Sequence, residues 1–204
     1  MLRVDESLPA DFAGNWQRDY VRGDDAGNVL NKQLYSLSRT VPDTQYSGSP
    51  GMPGATGLSP RKRDALIAVA RLAEMITRPD TLTILQSDNE ITVERDEDFA
   101  IFCGFYNGEA KATSTPYGSE ICGWDGDNLV SLLQLPDGLS VMHRFTVSDD
   151  GQQLRIITTV DSKTSPAPFS LSRFYRRFEP AGSEFNCVET LSKKRVCSTG
   201  DLEP

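Results

Sequence analysis

The chain has 204 residues, of which 38% are hydrophobic and 25% are charged. This is the composition of a globular protein with one sizeable core, so we expect a single main domain rather than a disordered or fibrous chain. The formal net charge of -8 argues against nucleic acid as a partner, and no apolar run is long enough for a transmembrane helix.

The first part of the chain predicts one strand followed by a short helix. Apolar residues alternate with polar ones over 12–20, which is typical of a strand. The pair Asp24-Asp25 then offers a helix N-cap, and apolar residues recur at helical spacing until Pro42 ends the pattern.

A connector and a second helix follow. The stretch 42–58 is rich in glycine and proline with few apolar residues, so it is predicted to be flexible. Ser59 provides an N-cap and Pro60 a favourable first helical position, and the apolar stripe that follows predicts a helix within 59–78.

From residue 81 onwards the apolar period changes from helical to two, which predicts strands joined by short turns. Such turns make neighbouring strands antiparallel, and closure into a barrel removes the exposed edges. The sequence therefore predicts a mainly β fold, an antiparallel up-and-down meander β-barrel of about 8–10 strands with one or two short helices between the first and second strands. The later predicted strands are 81–86, 90–95, 99–105, 109–113, 120–124, 129–135, 139–147, 153–160 and 169–178.

The chain divides into an N-terminal extension (1–11), one barrel domain (12–180) and a polar tail (181–204). In the tail, Cys187 and Cys197 would close a small loop by a disulfide, which supplies order that burial cannot. Such a bridge fits an oxidising compartment. The N-terminus shows no signal-peptide pattern, so we expect either a cytosolic protein or, as we favour, the mature form of a periplasmic or otherwise exported one.

Cys103 and Cys122 present two alternatives. If 109–113 is a strand between theirs, the cysteines are two ladder spacings apart, about 9.5 Å, which is beyond the reach of a disulfide. If they are bridged, 106–119 must bulge out and the two cysteine strands are neighbours. Because there is no CxxC motif and His143 is the one histidine, neither a metal site nor a cofactor is expected.

Two short motifs carry a resemblance to a known family. Phe12-Ala13-Gly14-Asn15-Trp16 resembles the FxGxW opening of lipocalins and fatty-acid-binding proteins, the calycin superfamily, and Arg173-Phe174-Tyr175 resembles the RxY element of the last strand of fatty-acid-binding proteins. The segment 124–129 resembles a turn of exported bacterial lipocalin-like proteins. The resemblance implies a barrel with an internal cavity, Trp16 near its closed end, and a fatty-acid carboxylate bound by Arg173 and Tyr175.

The residues themselves leave the site partly open. Arg173 and Tyr175 leave the same face of their strand, but neither face of that strand is cleanly apolar, so the pattern does not decide which one is inward. Arg173 could also stack on Trp16 as a structural pair. His143 alternates with apolar residues, including Phe145, and is therefore predicted to face inward, where a core role is more common than a catalytic one. The candidate ligand-binding residues are Arg173, Tyr175, His143, Phe145 and Trp16, and no catalytic residue is assigned.

Three functions remain possible from the sequence. The first is non-catalytic binding or transport of a small hydrophobic molecule, such as a fatty acid or similar amphiphile, in the cell envelope. The second is a protein interaction module, such as an inhibitor or assembly factor, whose barrel is filled by side chains. The third is a barrel enzyme acting on a small apolar substrate, with His143, Arg173 or Tyr175 as acid–base groups. We expect the first.

Overall fold

The structure is a computed structural model, and it describes residues 10–39, 58–95, 98–106, 109–110, 112–115, 118–180, 185–190 and 194–199. Helix α1 spans Ala26–Arg39 and helix α2 spans Pro60–Ile76, and both lie between the first and second strands. The strands are β1 (Gly14–Gly23), β2 (Thr81–Gln86), β3 (Glu90–Arg95), β4 (Asp98–Tyr106), β5 (Glu109–Ala110), β6 (Thr113–Thr115), β7 (Gly118–Asp125), β8 (Asn128–Gln134), β9 (Leu139–Val147), β10 (Gln153–Ser162), β11 (Phe169–Phe178), β12 (Phe185–Thr190) and β13 (Lys194–Thr199).

Eleven of these strands form one continuous sheet in the order β5-β4-β3-β2-β1-β11-β10-β9-β8-β7-β6. The sheet curls into a half-barrel, because β4 and β7, which are far apart in this order, come into contact. The prediction of a mainly β, antiparallel meander with helices after the first strand is confirmed. Strands β12 and β13 pair as a separate hairpin. In the described part of the chain, neither helix has the length and apolar character needed to cross a membrane.

The two ends of the curled sheet meet at a seam between β4 and β7. An even number of strand pairings leads round the sheet from β4 to β7, and each pairing is antiparallel. Because each pairing reverses the strand direction, β4 and β7 run in the same direction. No backbone ladder between them is present among the described residues. The Cys103–Cys122 disulfide joins them instead, with Cα atoms 5.4 Å apart. The wall that we expected to close through backbone pairing is therefore held by a covalent bridge at this point.

The bridge also decides between the two alternatives for the chain that links β4 and β7. The single strand predicted at 109–113 is divided into β5, which pairs with the end of β4, and β6, which pairs with the start of β7. Neither strand is inserted in the sheet between the two residues that the disulfide joins, Cys103 and Cys122. Because β4 and β7 are parallel, the chain must return along the barrel before β7 begins, and this explains why a strand-like pattern occurs there.

The second cysteine pair lies in the terminal hairpin. The register of β12 and β13 sets Cys187 directly opposite Cys197, as a disulfide between them requires. Their side chains lie outside the described residues, so this disulfide stays a prediction. Peptide mapping of the non-reduced protein checks it, and a cross-linked peptide that contains both cysteines is the expected product.

The interior consists of two apolar cores stacked along the barrel axis. The lower core fills the end at which β1 begins and includes Phe12, Trp16, Ile84, Ile91, Trp124, Leu129, Phe145 and Leu154. The upper core lies beneath the helices, because the buried stripe of α2 packs on the inward residues of β9, β10 and β11. Its members include Leu66, Val69, Ala73, Val141, Val160, Phe169 and Leu171. The helix pair therefore covers one mouth of the barrel.

The helix ends differ in how they are capped. Asp25 Oδ1 accepts a hydrogen bond from the backbone N–H of Asn28 at 2.7 Å, which is the N-cap that the aspartate pair predicted for α1. Ser59 has the extended conformation of an N-cap residue, but its side chain makes no capping hydrogen bond to α2. Pro60 at the first helical position and the buried stripe determine where α2 begins.

An arginine closes the lower end of the barrel. The guanidinium of Arg177 lies 4.6 Å from the ring centroid of Trp16. It also donates hydrogen bonds to the carbonyl oxygens of Gly151 and Ala13, at 2.8 and 2.7 Å. One side chain thereby ties the start of β1, the β9–β10 connection and β11 together, around the FAGNW segment.

We expect Arg177→Met to lower the free energy of unfolding by roughly 1.5 kcal/mol, because hydrogen bonds from a charged donor and the contact with the indole ring are lost. Urea denaturation followed by tryptophan fluorescence measures the change. Arg71→Met, at an exposed position on α2, is the control and should shift stability by less than about 0.5 kcal/mol. Equal effects of the two substitutions would show that Arg177 does not clamp the barrel end.

Candidate ligand-binding site

The inward face of β11 contains both residues of the RxY motif. Leu171, Arg173 and Tyr175 are buried, whereas Ser170 and Arg176 on the other face are exposed. The face of β11 that carries Arg173 and Tyr175 is therefore the inward one, which the sequence pattern of the strand did not decide. Burial of an arginine on the inward face explains why the alternation of β11 is not cleanly apolar.

The alternative contact between Arg173 and Trp16 is not formed. Arg177, four positions further along the same strand, occupies the place over the indole ring instead. Arg173 lies higher in the barrel, opposite Ile156 on β10. Trp16 is fully buried in the lower core and is not among the residues that line the cavity described next.

A small cavity separates the two cores at mid-height. Its lining combines apolar side chains such as Leu82, Ile101 and Ile156 with polar ones, and the turn after α2 forms part of its wall. The space open to the centre of a water-sized sphere is about 20 Å³, which is room for one or two water molecules. The polar lining residues are Thr77, Arg95, His143, Thr158, Arg173 and Tyr175.

Arg173 is held by groups from both sides of the helix pair. Its Nη1 donates a hydrogen bond to the carbonyl oxygen of Asp24, just before α1, and its Nε donates to Thr77 Oγ1 at 3.3 Å, just after α2. Burial and the nearby Arg18 lower the pKa of the guanidinium from its usual value, while Tyr175 and the carboxylates of Asp24 and Glu74 partly offset this shift. Arginine stays charged at neutral pH. Both of these hydrogen-bond acceptors are neutral oxygens.

The approach of β1 to β11 is close at this point. Gly23 ends β1 with φ of +113°, and a Cβ atom there would lie 2.9 Å from the carbonyl oxygen of Ser172. The backbone N–H of Asp24 donates to that same oxygen at 2.9 Å, and the Asp24 carboxylate accepts from the N–H of Ser172 at 2.7 Å. Glycine thus permits the contact that brings the Asp24 carbonyl to Arg173.

Tyr175 contributes a buried phenol to the same cavity. Its hydroxyl donates a hydrogen bond to the carbonyl oxygen of Pro79 at 3.1 Å. Burial raises the pKa of the phenol to about 12, although nearby arginines favour ionisation. The group is therefore neutral, and it can donate to a ligand carboxylate by exchanging its hydrogen bond to Pro79 for one to the ligand.

His143 lies on β9, inward as predicted. Its Nδ1 is hydrogen-bonded to Thr158 Oγ1 at 2.9 Å, and its ring is 6.1 Å from that of Phe145, which also lines the cavity. Burial, with a smaller effect of Arg95, lowers the pKa of the imidazole to about 3. The imidazole is therefore neutral at physiological pH, and with such a pKa it is poorly suited to act as a general base near pH 7.

Two further charged residues belong to the interior and were missed by the sequence analysis. Arg95 lines the cavity, and Glu120 is half-buried with a pKa raised by burial, while Ser131 Oγ donates a hydrogen bond to its carboxylate at 3.2 Å. The alternation itself contained the signal. Arg95 shares parity with Ile91 and Val93 on β3, so it faces inward with them.

The comparisons with known proteins add little. No family model matches the chain, and no curated protein matches it. A crystal structure of secretory abundant heat soluble protein 4 from Ramazzottius varieornatus is similar in structure, with a TM-score of 0.39, 13% identity and coverage of 85% of this chain and 97% of that one. A likeness of this size carries no argument about function. Among the described residues there is also no group of three side chains that could hold a metal ion.

Proposed function

We propose that the chain is a calycin-like binding protein, acting in the periplasm or another exported compartment, whose barrel takes a small amphiphile with an acidic head group. The observation that supports this proposal is the convergence of a buried guanidinium, Arg173, and a buried phenol, Tyr175, on a cavity with otherwise largely apolar walls. In this arrangement the head group binds to Arg173 and Tyr175, and the apolar part of the ligand contacts residues such as Phe145 and Ile156.

Electrostatics favours an anion at this position. Arg173 makes no ion pair with a carboxylate of the described residues, and its hydrogen bonds go to neutral oxygens. No aspartate or glutamate is among the residues that line the cavity. A buried guanidinium gains most from a carboxylate, which accepts charge-assisted hydrogen bonds and compensates the lost hydration. The carboxylate of a ligand would supply that partner.

The volume restricts the size of the ligand. About 20 Å³ is far less than the several hundred Å³ that enclose a drug-sized molecule. Even a four-carbon acid has more non-hydrogen atoms than one or two water molecules, so it must displace the turn after α2, where Ile76, Thr77 and Pro79 form one wall. A long acyl chain would displace the upper core as well. We therefore expect short-chain acids to bind more tightly than long-chain ones.

Titration with straight-chain carboxylic acids of about four to sixteen carbons tests the proposal, with binding followed by NMR chemical shifts. Arg173→Met should weaken the best acid by about ten-fold or more, and Tyr175→Phe by a smaller factor. Arg155→Met is the matched control, because Arg155 is exposed on the outer face of the adjacent strand. If no acid binds, or if Arg173→Met and Arg155→Met behave alike, the proposed site is wrong.

A second candidate function follows from the tight packing of the interior. The two cores fill most of the barrel, as an interaction module would require, and Leu85 and Phe102 are exposed large apolar side chains on its outside. Thr92 stands between them in the ladder, so the three residues form one row across β2, β3 and β4. In that case Leu85→Ser with Phe102→Ser would abolish capture of a partner protein without changing the binding of any acid.

A further inference from the structure

A row of polar side chains crosses the inward face of four strands and reaches the cavity from β7 to β10. Ser131 on β8 stands directly opposite His143 on β9, and His143 stands opposite Thr158 on β10. Glu120 on β7 joins this row through the hydrogen bond that it accepts from Ser131. His143 and Thr158 line the cavity, so the cavity has a second polar wall besides the one formed by Arg173 and its neighbours.

His143 retains hydrogen-bonding capacity in this wall. Its Nδ1 is occupied by Thr158, and within the described part of the chain no residue forms a hydrogen bond with Nε2. Among the described residues, the fully buried side-chain nitrogen without a hydrogen-bond partner is Trp124 Nε1. His143 Nε2 is not of this kind, and because His143 lines the cavity, a molecule inside the cavity can reach this nitrogen. A neutral imidazole offers one donor and one acceptor nitrogen, so Nε2 suits a hydroxyl or carbonyl oxygen.

The position of His143 relative to Arg173 limits the length of a molecule that reaches both. Their strands, β9 and β11, are separated by β10 alone, about 9.6 Å across the ladder, and Arg173 is two residues along β11 from Leu171, which is level with His143, so the two backbone positions are about 12 Å apart. Both side chains point inward and shorten this gap. A molecule with two polar groups a few bonds apart can therefore contact both walls, and the small volume of the cavity also favours a short ligand.

We infer that the ligand is a short hydroxy or oxo acid: its carboxylate binds at Arg173 and Tyr175, and its second oxygen forms a hydrogen bond with His143 Nε2. This inference rests on the proposed function, because it takes the acid site as given. It adds a selectivity that Arg173 and Tyr175 alone would not produce, namely a preference for the oxygenated acid over the plain acid of the same length.

The probes are butanoic acid and its hydroxybutanoic acid isomers, titrated into the full chain and followed by NMR chemical shifts. We expect at least one hydroxy isomer to bind about five-fold or more tightly than butanoate, as one well-formed hydrogen bond allows.

Two substitutions of His143 form a matched pair for this test. In His143→Asn the amide takes the place of Nδ1 and keeps the Thr158 partner but loses Nε2, so the preference for the hydroxy isomer should disappear. In His143→Gln the amide reaches the place of Nε2, so most of the preference should remain. Butanoate affinity is measured in each variant as well, so that the preference is the ratio of the two affinities within one variant.

Three results would overturn the inference. Equal affinity of the wild-type chain for butanoate and all its hydroxy isomers would do so and leave the acid site of the proposed function intact. A preference that persists in His143→Asn would assign the second oxygen to another group. No binding of any of these probes would also overturn it, while the chain-length series decides the proposed function separately. Thermal melts show whether each variant folds. If one of the two variants does not fold, wild type is compared with the other variant alone.

Discussion

Replacing Cys103 and Cys122 together by alanine is expected to lower the free energy of unfolding by about 3 kcal/mol, the chain-entropy effect of opening a loop between residues that are 19 apart. The effect should be concentrated at the seam, because no described backbone ladder joins β4 to β7. Amide hydrogen exchange in these two strands should therefore accelerate more than in β9 and β10. Urea denaturation under oxidising conditions gives the stability change.

Reductant supplies the control for this substitution. Reduced wild-type protein should become as unstable as the reduced variant, and any effect of reductant on the variant itself reports the predicted Cys187–Cys197 bridge. If the variant keeps the stability and exchange pattern of the oxidised wild type, the disulfide does not hold the seam, and the wall must be joined by other contacts.

The second large effect concerns pH. Because burial depresses the pKa of His143 to about 3 in the folded chain, against about 6.5 when unfolded, the unfolded state binds the additional proton at intermediate pH. The folded state therefore has its full stability with respect to His143 above the pKa of the unfolded state, and the free energy of unfolding falls as the pH decreases below that value. We expect a loss of about 2 kcal/mol between about pH 7 and about pH 5, since each pH unit below 6.5 costs about 1.4 kcal/mol.

His143→Asn isolates this contribution, because it keeps a partner for Thr158 and cannot titrate. Burial raises the pKa of Glu120, which acts in the opposite direction, so the relevant quantity is the difference between wild type and variant in urea denaturation at the two pH values. A wild-type slope that is unchanged in His143→Asn would contradict the assignment and would mean that His143 is readily protonated in the folded chain.

The sequence was a good guide to the elements whose pattern depends on a single periodicity. Alternation over β9 and β10 and the stripe of α2 each reflect one apolar inward face, so they predict both the element and the face that is buried. The inward position of His143 followed from the same rule. Asp25 was found because capping is a local interaction between residues three apart.

The remaining features depend on contacts between distant segments. The parity of β11 is mixed because Arg173 obtains its partners from the residues that flank the two helices, Asp24 and Thr77, and a local pattern does not contain these contacts. The seam also depends on distant segments, because the direction of β4 relative to β7 is determined by the whole strand order. The volume of the cavity is set by how tightly two cores pack, and periodicity contains no information about it.

The central claim is that the middle of this barrel holds a small acid. Native mass spectrometry of the chain purified from its native cells, without extraction of bound molecules, tests this most directly. We expect a species carrying one small acidic molecule per chain, and we expect it to be absent from Arg173→Met and present in Arg155→Met. A bare chain mass in all three, together with no uptake of added short-chain acids, would contradict the claim.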